Sequence, residues 1–175
     1  GVIRPTAEII GKLTDSRHVG ILATEGTVKS ESYNMEINKL WPDIEVTGVA
    51  CPLWVPIIEN NEANGPGADY FVKKRIDHIL SLDPRIDTII LGCTHYPILI
   101  PKIKQYVPEG IRIISQGKYV AESLKDYLNR HADMDERCTK GGSARYFTTE
   151  NEEKFKENAR IFLPEGIEVS HLSLE

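Results

Sequence analysis

The stretch Ile86-Asp-Thr-Ile-Ile-Leu91, followed at once by Gly92-Cys-Thr-His-Tyr-Pro97, decides the fold. Its first half is rich in β-branched residues and has the length of a buried strand. Its second half opens on glycine, which lets a backbone approach a neighbour closely. Proline then favours the start of a helix, expected over about Ile98 to Val107. The same order of strand, turn and helix repeats outward. Upstream, His18 to Ala23 reads as a strand ending at Thr24-Glu-Gly-Thr27, and Tyr33, Ile37 and Leu40 give Ser30 to Trp41 a helical spacing. Pro42 stops that helix. Glu45 to Ala50 is a further strand closing at Cys51-Pro52, Glu62 to Gly67 a loop, and Ala68 to Leu82 an amphipathic helix; Pro5 to Leu13 forms a short helix near the start. Downstream come a strand at Ile111 to Ser115, a helix at Val120 to His131, a polar loop at Ala132 to Ser143, a strand at Ala144 to Thr148, a helix at Glu150 to Phe162 and a last strand at Ile167 to Leu172.

Strands alternating with helices predict an α/β fold, a parallel sheet with helices on both faces. Ligands of such sheets bind beyond the carboxyl ends of the strands. The turns Thr24–Thr27, Cys51–Pro52, Gly92–His95 and Ser115–Gly117 each follow a strand directly, so all four are expected along one edge.

Composition narrows the function. The 175 residues are 41% hydrophobic and 27% charged, with a net charge of −5. A mildly acidic chain without a basic cluster is no candidate for nucleic acid. The longest apolar run, Thr88 to Leu91, is far too short for a bilayer, so no membrane role is expected. Cys51, Cys93 and Cys138 are widely spaced and include no C-x-x-C pair; neither a disulfide framework nor a metal site is expected, and a reducing cytoplasm is the simplest setting. Nucleotide-binding glycine patterns are missing after every expected strand.

Cys93 combines a strand end, an expected helix start and a histidine two residues on. A helix N-terminus favours thiolate, and His95 lies within possible reach of the sulfur. The bland alternative is a small buried cysteine with His95 as a turn residue, since free cysteine is often buried and inert.

The longer pattern favours chemistry. Ile89-Ile-Leu-Gly-Cys-Thr-His-Tyr-Pro-Ile-Leu99 resembles the second cysteine motif of the glutamate racemases, within the Asp/Glu racemase superfamily. Ile21-Leu-Ala-Thr-Glu-Gly-Thr27 with Ser30 and Tyr33, Ala50-Cys-Pro-Leu-Trp-Val-Pro-Ile-Ile-Glu59 and Phe147-Thr-Thr149 resemble further segments in the same order. Gly1-Val-Ile-Arg-Pro5 looks like the family's entry into a lobe, with Arg4 where an acidic residue is usual. The resemblance implies racemisation of glutamate without a cofactor, supplying D-glutamate for peptidoglycan. One thiolate removes the α-proton and a second thiol returns one from the opposite face. It implies that Cys93 is one of these thiols, that His95 assists it, and that Glu59 sets protonation nearby. Thr94, His95, Thr24 and Thr27 are then substrate contacts. Read without the resemblance, Glu59 is a solvated carboxylate and the threonines cap turns.

Asp-Ser-Gly, Pro-Tyr-Gly and Cys-Asn-Thr, which the family carries in its first half, do not occur in this sequence. The expectation is therefore a C-terminal portion with a processed or cut N-terminus, holding one half-site and inactive alone. Residues 1–114 would form one α/β lobe and residues 115–175 part of a second, incomplete lobe. Exposed apolar surface would drive homo-oligomer formation or other self-association. Cys51 is expected to be a buried structural thiol and Cys138 an exposed one. The competing readings are an aspartate or other dicarboxylate racemase and a non-catalytic ligand-binding module.

Overall fold

The computed structural model describes every residue except Ile161, Pro164 and Glu175. The chain divides into two compact units, Gly1–Tyr127 and Leu128–Glu175.

In the first unit, strands β1 (His18–Ala23), β2 (Glu45–Ala50), β3 (Thr88–Leu91) and β4 (Arg112–Ser115) form a parallel sheet in the order β2-β1-β3-β4. The run of buried residues through β1 and β3 reflects cover on both faces. Alternate strand residues then divide between two cores. Val19, Ile21, Ala23, Ile90 and Ile114 join Ile10 of helix α1 (Arg4–Ile10) and Ile37 of α3 (Ser32–Leu40). Leu22, Val49, Ile89 and Leu91 join Trp54 and Ile58 of α4 (Trp54–Glu59), Ile76 and Ile79 of α5 (Pro66–Leu82) and Ile103 of α6 (Ile100–Tyr106). The helices change face where the strand order reverses, as right-handed crossovers demand.

Three local expectations are corrected here. A five-residue helix, α2 (Glu25–Lys29), follows Thr24 where a turn was expected. Helix α4 occupies a stretch between Pro52 and Glu62 for which the sequence predicts no element. Pro56 is the third residue of α4, where a backbone N–H has no partner inside the helix, so proline does no harm. Pro97 sits in a 3-10 turn, Tyr96–Leu99, before α6. The thiol of Cys93 therefore precedes a 3-10 turn, not an α-helix, and the dipole argument for it weakens.

The amino end of the sheet is locked by two carboxylates, half-buried Asp87 and buried Asp83. Asp87 accepts hydrogen bonds from Thr14 Oγ1 (2.7 Å), Thr88 Oγ1 (2.9 Å), Asp15 N (2.7 Å) and Ser16 N (2.6 Å). Burial alone would push its pKa up, but these donors outweigh it and hold the carboxyl at about 2. Asp83 lies 2.7 Å from His18 Nδ1 and accepts from Arg85 N at 3.0 Å. Burial opposes its ionisation too, yet the bonds from Arg85 and His18 bring its pKa below the ordinary value.

Helix α7 (Gly117–Arg130) carries the division between the units. The second unit by itself holds α8 (Ala132–Glu136), β5 (Tyr146–Thr148), α9 (Glu152–Ala159) and β6 (Val169–His171), with β5 and β6 parallel. Helix α8 corrects part of the loop expected over Ala132 to Ser143. Asn151 caps α9 by accepting from Lys154 N at 3.0 Å. The expected helix to Phe162 includes Ile161, which lies outside the described residues. No described helix is long and apolar enough to cross a membrane.

Candidate active site

All four turns singled out in the sequence follow the carboxyl ends of parallel strands, on one edge of the sheet. The strand order reverses between β1 and β3. This is the switch point at which open α/β sheets open a crevice, and the turns that flank it are Thr24–Thr27 and Gly92–His95.

Gly92 sets how closely these turns approach. Its N–H donates to Leu22 O at 2.8 Å. A Cβ at this residue would lie 2.9 Å from Ala23 Cβ, closer than side chains approach, and 3.1 Å and 3.3 Å from Tyr33 Cε2 and Oη, both tight contacts. Cys93, half-buried, follows against the core that holds Leu91 and Trp54.

His95 Nδ1 lies 3.8 Å from Cys93 Sγ, and its Nε2 lies 3.1 Å from Glu59 Oε1. Carboxylate, imidazole and sulfur thus stand in line. With the proton on Nε2 the ring donates to Glu59 and turns the bare Nδ1 toward the thiol; the imidazolium form donates at both nitrogens. Glu59 and His95 retain side-chain exposures of 52% and 30%, so the relay opens to solvent on one side.

The remaining expected residues are distributed along the same edge. Thr94 is exposed beside Cys93. Thr24 occupies the N-cap position of α2 without a side-chain capping bond; its hydroxyl meets that of Thr27 at 3.0 Å. A capping role for Thr24 is thereby removed. Cys51 is buried, donates to Val49 O at 3.7 Å, and burial pushes its pKa up to about 12. A thiol so held stays neutral. Cys138 is exposed and donates to Met134 O at 3.4 Å, in the second unit.

Two supports were not anticipated from the sequence. The Tyr33 hydroxyl accepts from Gln116 Nε2, tying the turn after β4 to the floor beneath Gly92. Burial first, and the charge at Cys93 second, raise the Tyr33 pKa to about 12, so its phenol stays protonated. Tyr96, fully buried, donates its hydroxyl to Cys51 O at 3.1 Å. Its ring meets that of Trp54 edge-on, with centroids 4.8 Å apart.

No protein-family model matches the chain. Glutamate racemases match it over 99% of its length: that of Streptococcus uberis is 35% identical and that of Streptococcus pyogenes serotype M49 is 37% identical. The chain is similar to the glutamate racemases. It spans 65% of the length of these curated relatives. The solved glutamate racemase isoform of Bacillus anthracis superposes with a TM-score of 0.90 at 31% identity, over 99% of this chain and 64% of that one. The glutamate racemase of Francisella tularensis, solved with D-glutamate, superposes with a TM-score of 0.81 at 28% identity, over 99% of this chain and 62% of that one. The fold is therefore the glutamate racemase fold.

Proposed function

We propose that this chain supplies the Cys93 half of a cofactor-independent glutamate racemase site and does not racemise glutamate alone. The observation that carries the reading is the Glu59–His95–Cys93 line at the switch point, in a chain similar to glutamate racemases over 99% of its length.

The α-proton of an amino acid is weakly acidic, so its removal needs a base held against the carbon and donors for the charge that develops on the carboxylate. In this reading Cys93 acts as thiolate base on one face. His95 takes or returns the proton at Nδ1, and Glu59 fixes the ring. Thr94 and the Thr24–Thr27 pair face the substrate as hydroxyl and amide donors. Inversion requires a second acid on the opposite face; Cys51 is a buried thiol held neutral, and it and exposed Cys138 donate to the main-chain carbonyls of Val49 and Met134. The second thiol is therefore assigned outside this chain, with residues 115–175 completing a second lobe there. A cytoplasmic role in forming D-glutamate for peptidoglycan accompanies the reading, supported by three cysteines that are all free thiols.

The test is incubation of the chain with L- and D-glutamate, and with both aspartates, while chirality and α-deuterium uptake are followed in heavy water. No racemisation is expected from the chain alone. Turnover that persists in Cys93→Ser overturns the assignment. Turnover that vanishes in that variant overturns only the insufficiency of the half-site, and preference for aspartate moves the chain to another substrate.

Self-association is part of the same proposal. Leu124, Phe147, Leu172 and Leu174 expose 55%, 49%, 47% and 78% of their surface. Apolar side chains so exposed favour association in water. Light scattering is expected to show a mass that grows with concentration; a monomer at every concentration contradicts this.

A further inference from the structure

We propose that Tyr96 is a positioning residue whose hydroxyl, through the Cys51 carbonyl, keeps Glu59 in register with His95. The inference rests on the relay reading above and extends it to a residue that does not touch substrate.

The argument starts from one peptide. Cys51 N donates to Ala23 O at 2.8 Å, which fixes this peptide to the end of β1. Cys51 O accepts twice, from Trp54 N at 3.2 Å and from Tyr96 Oη at 3.1 Å. Trp54 opens α4, and Glu59 closes it. Tyr96 follows His95 directly. A single carbonyl oxygen therefore joins the helix that carries the carboxylate to the turn that carries the imidazole. The Trp54 and Tyr96 rings pack edge to face across the same junction, and both side chains are fully buried. Glu59 and His95 themselves are partly exposed and 36 residues apart in sequence. Their 3.1 Å approach has to be imposed from below, because two solvated side chains gain little by pairing on their own.

Tyr96 suits this role for three reasons. Burial pushes its pKa up, so the phenol remains a donor across the working pH range. The aromatic ring has few rotamers to lose and is braced by Trp54. Removing only the hydroxyl leaves Cys51 O with its bond from Trp54 N, so no buried carbonyl is orphaned. Tyr96→Phe is therefore expected to fold while freeing the tilt of α4 against the His95 turn.

The experiment is a double-mutant cycle on the chain as it stands. The rate of Cys93 alkylation by iodoacetamide is measured against pH, by peptide mass, in wild type, Glu59→Gln, Tyr96→Phe and the double variant. Cys51, being buried, serves as an internal control that reacts only on unfolding. Glu59→Gln is expected to slow Cys93 alkylation at neutral pH by about fivefold, the effect of one hydrogen bond, and to displace the pH profile. Tyr96→Phe should displace the profile in the same direction, and the double variant should go no further than Glu59→Gln. A wild-type profile in Tyr96→Phe, whatever its thermal stability, overturns the positioning role, as do additive effects. A wild-type profile in Glu59→Gln removes the relay itself, and with it this inference. Should Tyr96→Phe expose Cys51, Trp54→Phe tests the junction from its other side, with the same expected displacement and the same contrary result.

Discussion

Asp87→Ala lowers the stability of the first unit by about 3 kcal/mol. The carboxylate accepts two backbone N–H groups on Oδ2 and two threonine hydroxyls on Oδ1. Hydrogen bonds to a charged group contribute about 1.5–3 kcal/mol each, and donors left without an acceptor lose more than the mean. The backbone at this residue bridges three segments as well: Asp87 N donates to His18 O at 3.3 Å and Arg112 N donates to Asp87 O at 2.8 Å. Disorder spreading from a lost side chain would thus reach β1 and β4 together. Asp87→Asn should lose only about 1–2 kcal/mol. Its carbonyl can still face Asp15 N and Ser16 N, and its amide can donate to hydroxyls that rotate to accept. The measurement is urea unfolding followed by tryptophan fluorescence, which reports the first unit because Trp41 and Trp54 are the chain's two tryptophans. Equal midpoints for wild type and Asp87→Ala would remove the carboxylate from the account of stability.

The same residue fixes an acid limit. Its folded pKa of about 2 lies below the ordinary aspartate value of about 3.9. A depressed carboxyl stabilises the fold above its unfolded pKa, and that contribution is lost as pH falls through the folded value. That contribution is lost between roughly pH 4 and pH 2. Asp87→Asn should flatten this part of the stability profile while leaving the profile above pH 5 parallel to wild type.

Much of the architecture was legible because strands and helix faces leave a periodic trace. The limits of β1 follow from its apolar run and those of β2 from the Pro42 and Pro52 that flank it, and β3 is shortened only at its amino end, at Ile86 and Asp87. The missed elements carried misleading punctuation. Proline inside the first turn of α4 reads as a break unless the unpaired N–H positions are counted. Acidic residues favour the first turn of α8, but the segment is polar throughout and ends on Gly141 and Gly142, which read as a loop. In the site, Cys93 and His95 declare themselves by adjacency. Glu59 reaches them only through the resemblance, since no local rule pairs residues 36 apart. The junction at Cys51 O left no trace, because a main-chain acceptor has no residue type to recognise. Gln116 beneath Tyr33 was likewise invisible, a common amide in a turn with nothing local to distinguish it.

Gly92→Ala is expected to lower stability by about 2–3 kcal/mol and to change Cys93 reactivity, whereas Gly20→Ala does much less and leaves the thiol alone. Gly20 lies within β1 and Gly92 directly after β3, and a methyl group would meet neighbours at similar distances: 2.8 Å to Ile79 Cδ1 at Gly20, and 2.9 Å to Ala23 Cβ at Gly92. The neighbours differ in kind. Ile79 Cδ1 is the far end of a flexible side chain, and rotation of its last bond relieves the contact. The smaller backbone entropy of alanine in the unfolded chain offsets part of what remains, by about 0.4–1 kcal/mol. Ala23 Cβ is fixed to the backbone of β1, and the Tyr33 ring, buried and bonded to Gln116, cannot turn away. Relief at Gly92 must therefore come from the main chain, by parting β3 from β1 where the Gly92 N–H meets Leu22 O at 2.8 Å. That movement carries Cys93, the next residue, away from His95. Urea midpoints and Cys93 alkylation rates for the two variants decide the matter. Similar losses in both, with unchanged alkylation in Gly92→Ala, would mean that the crevice at the switch point yields as freely as the core, and that glycine there does not position the thiol.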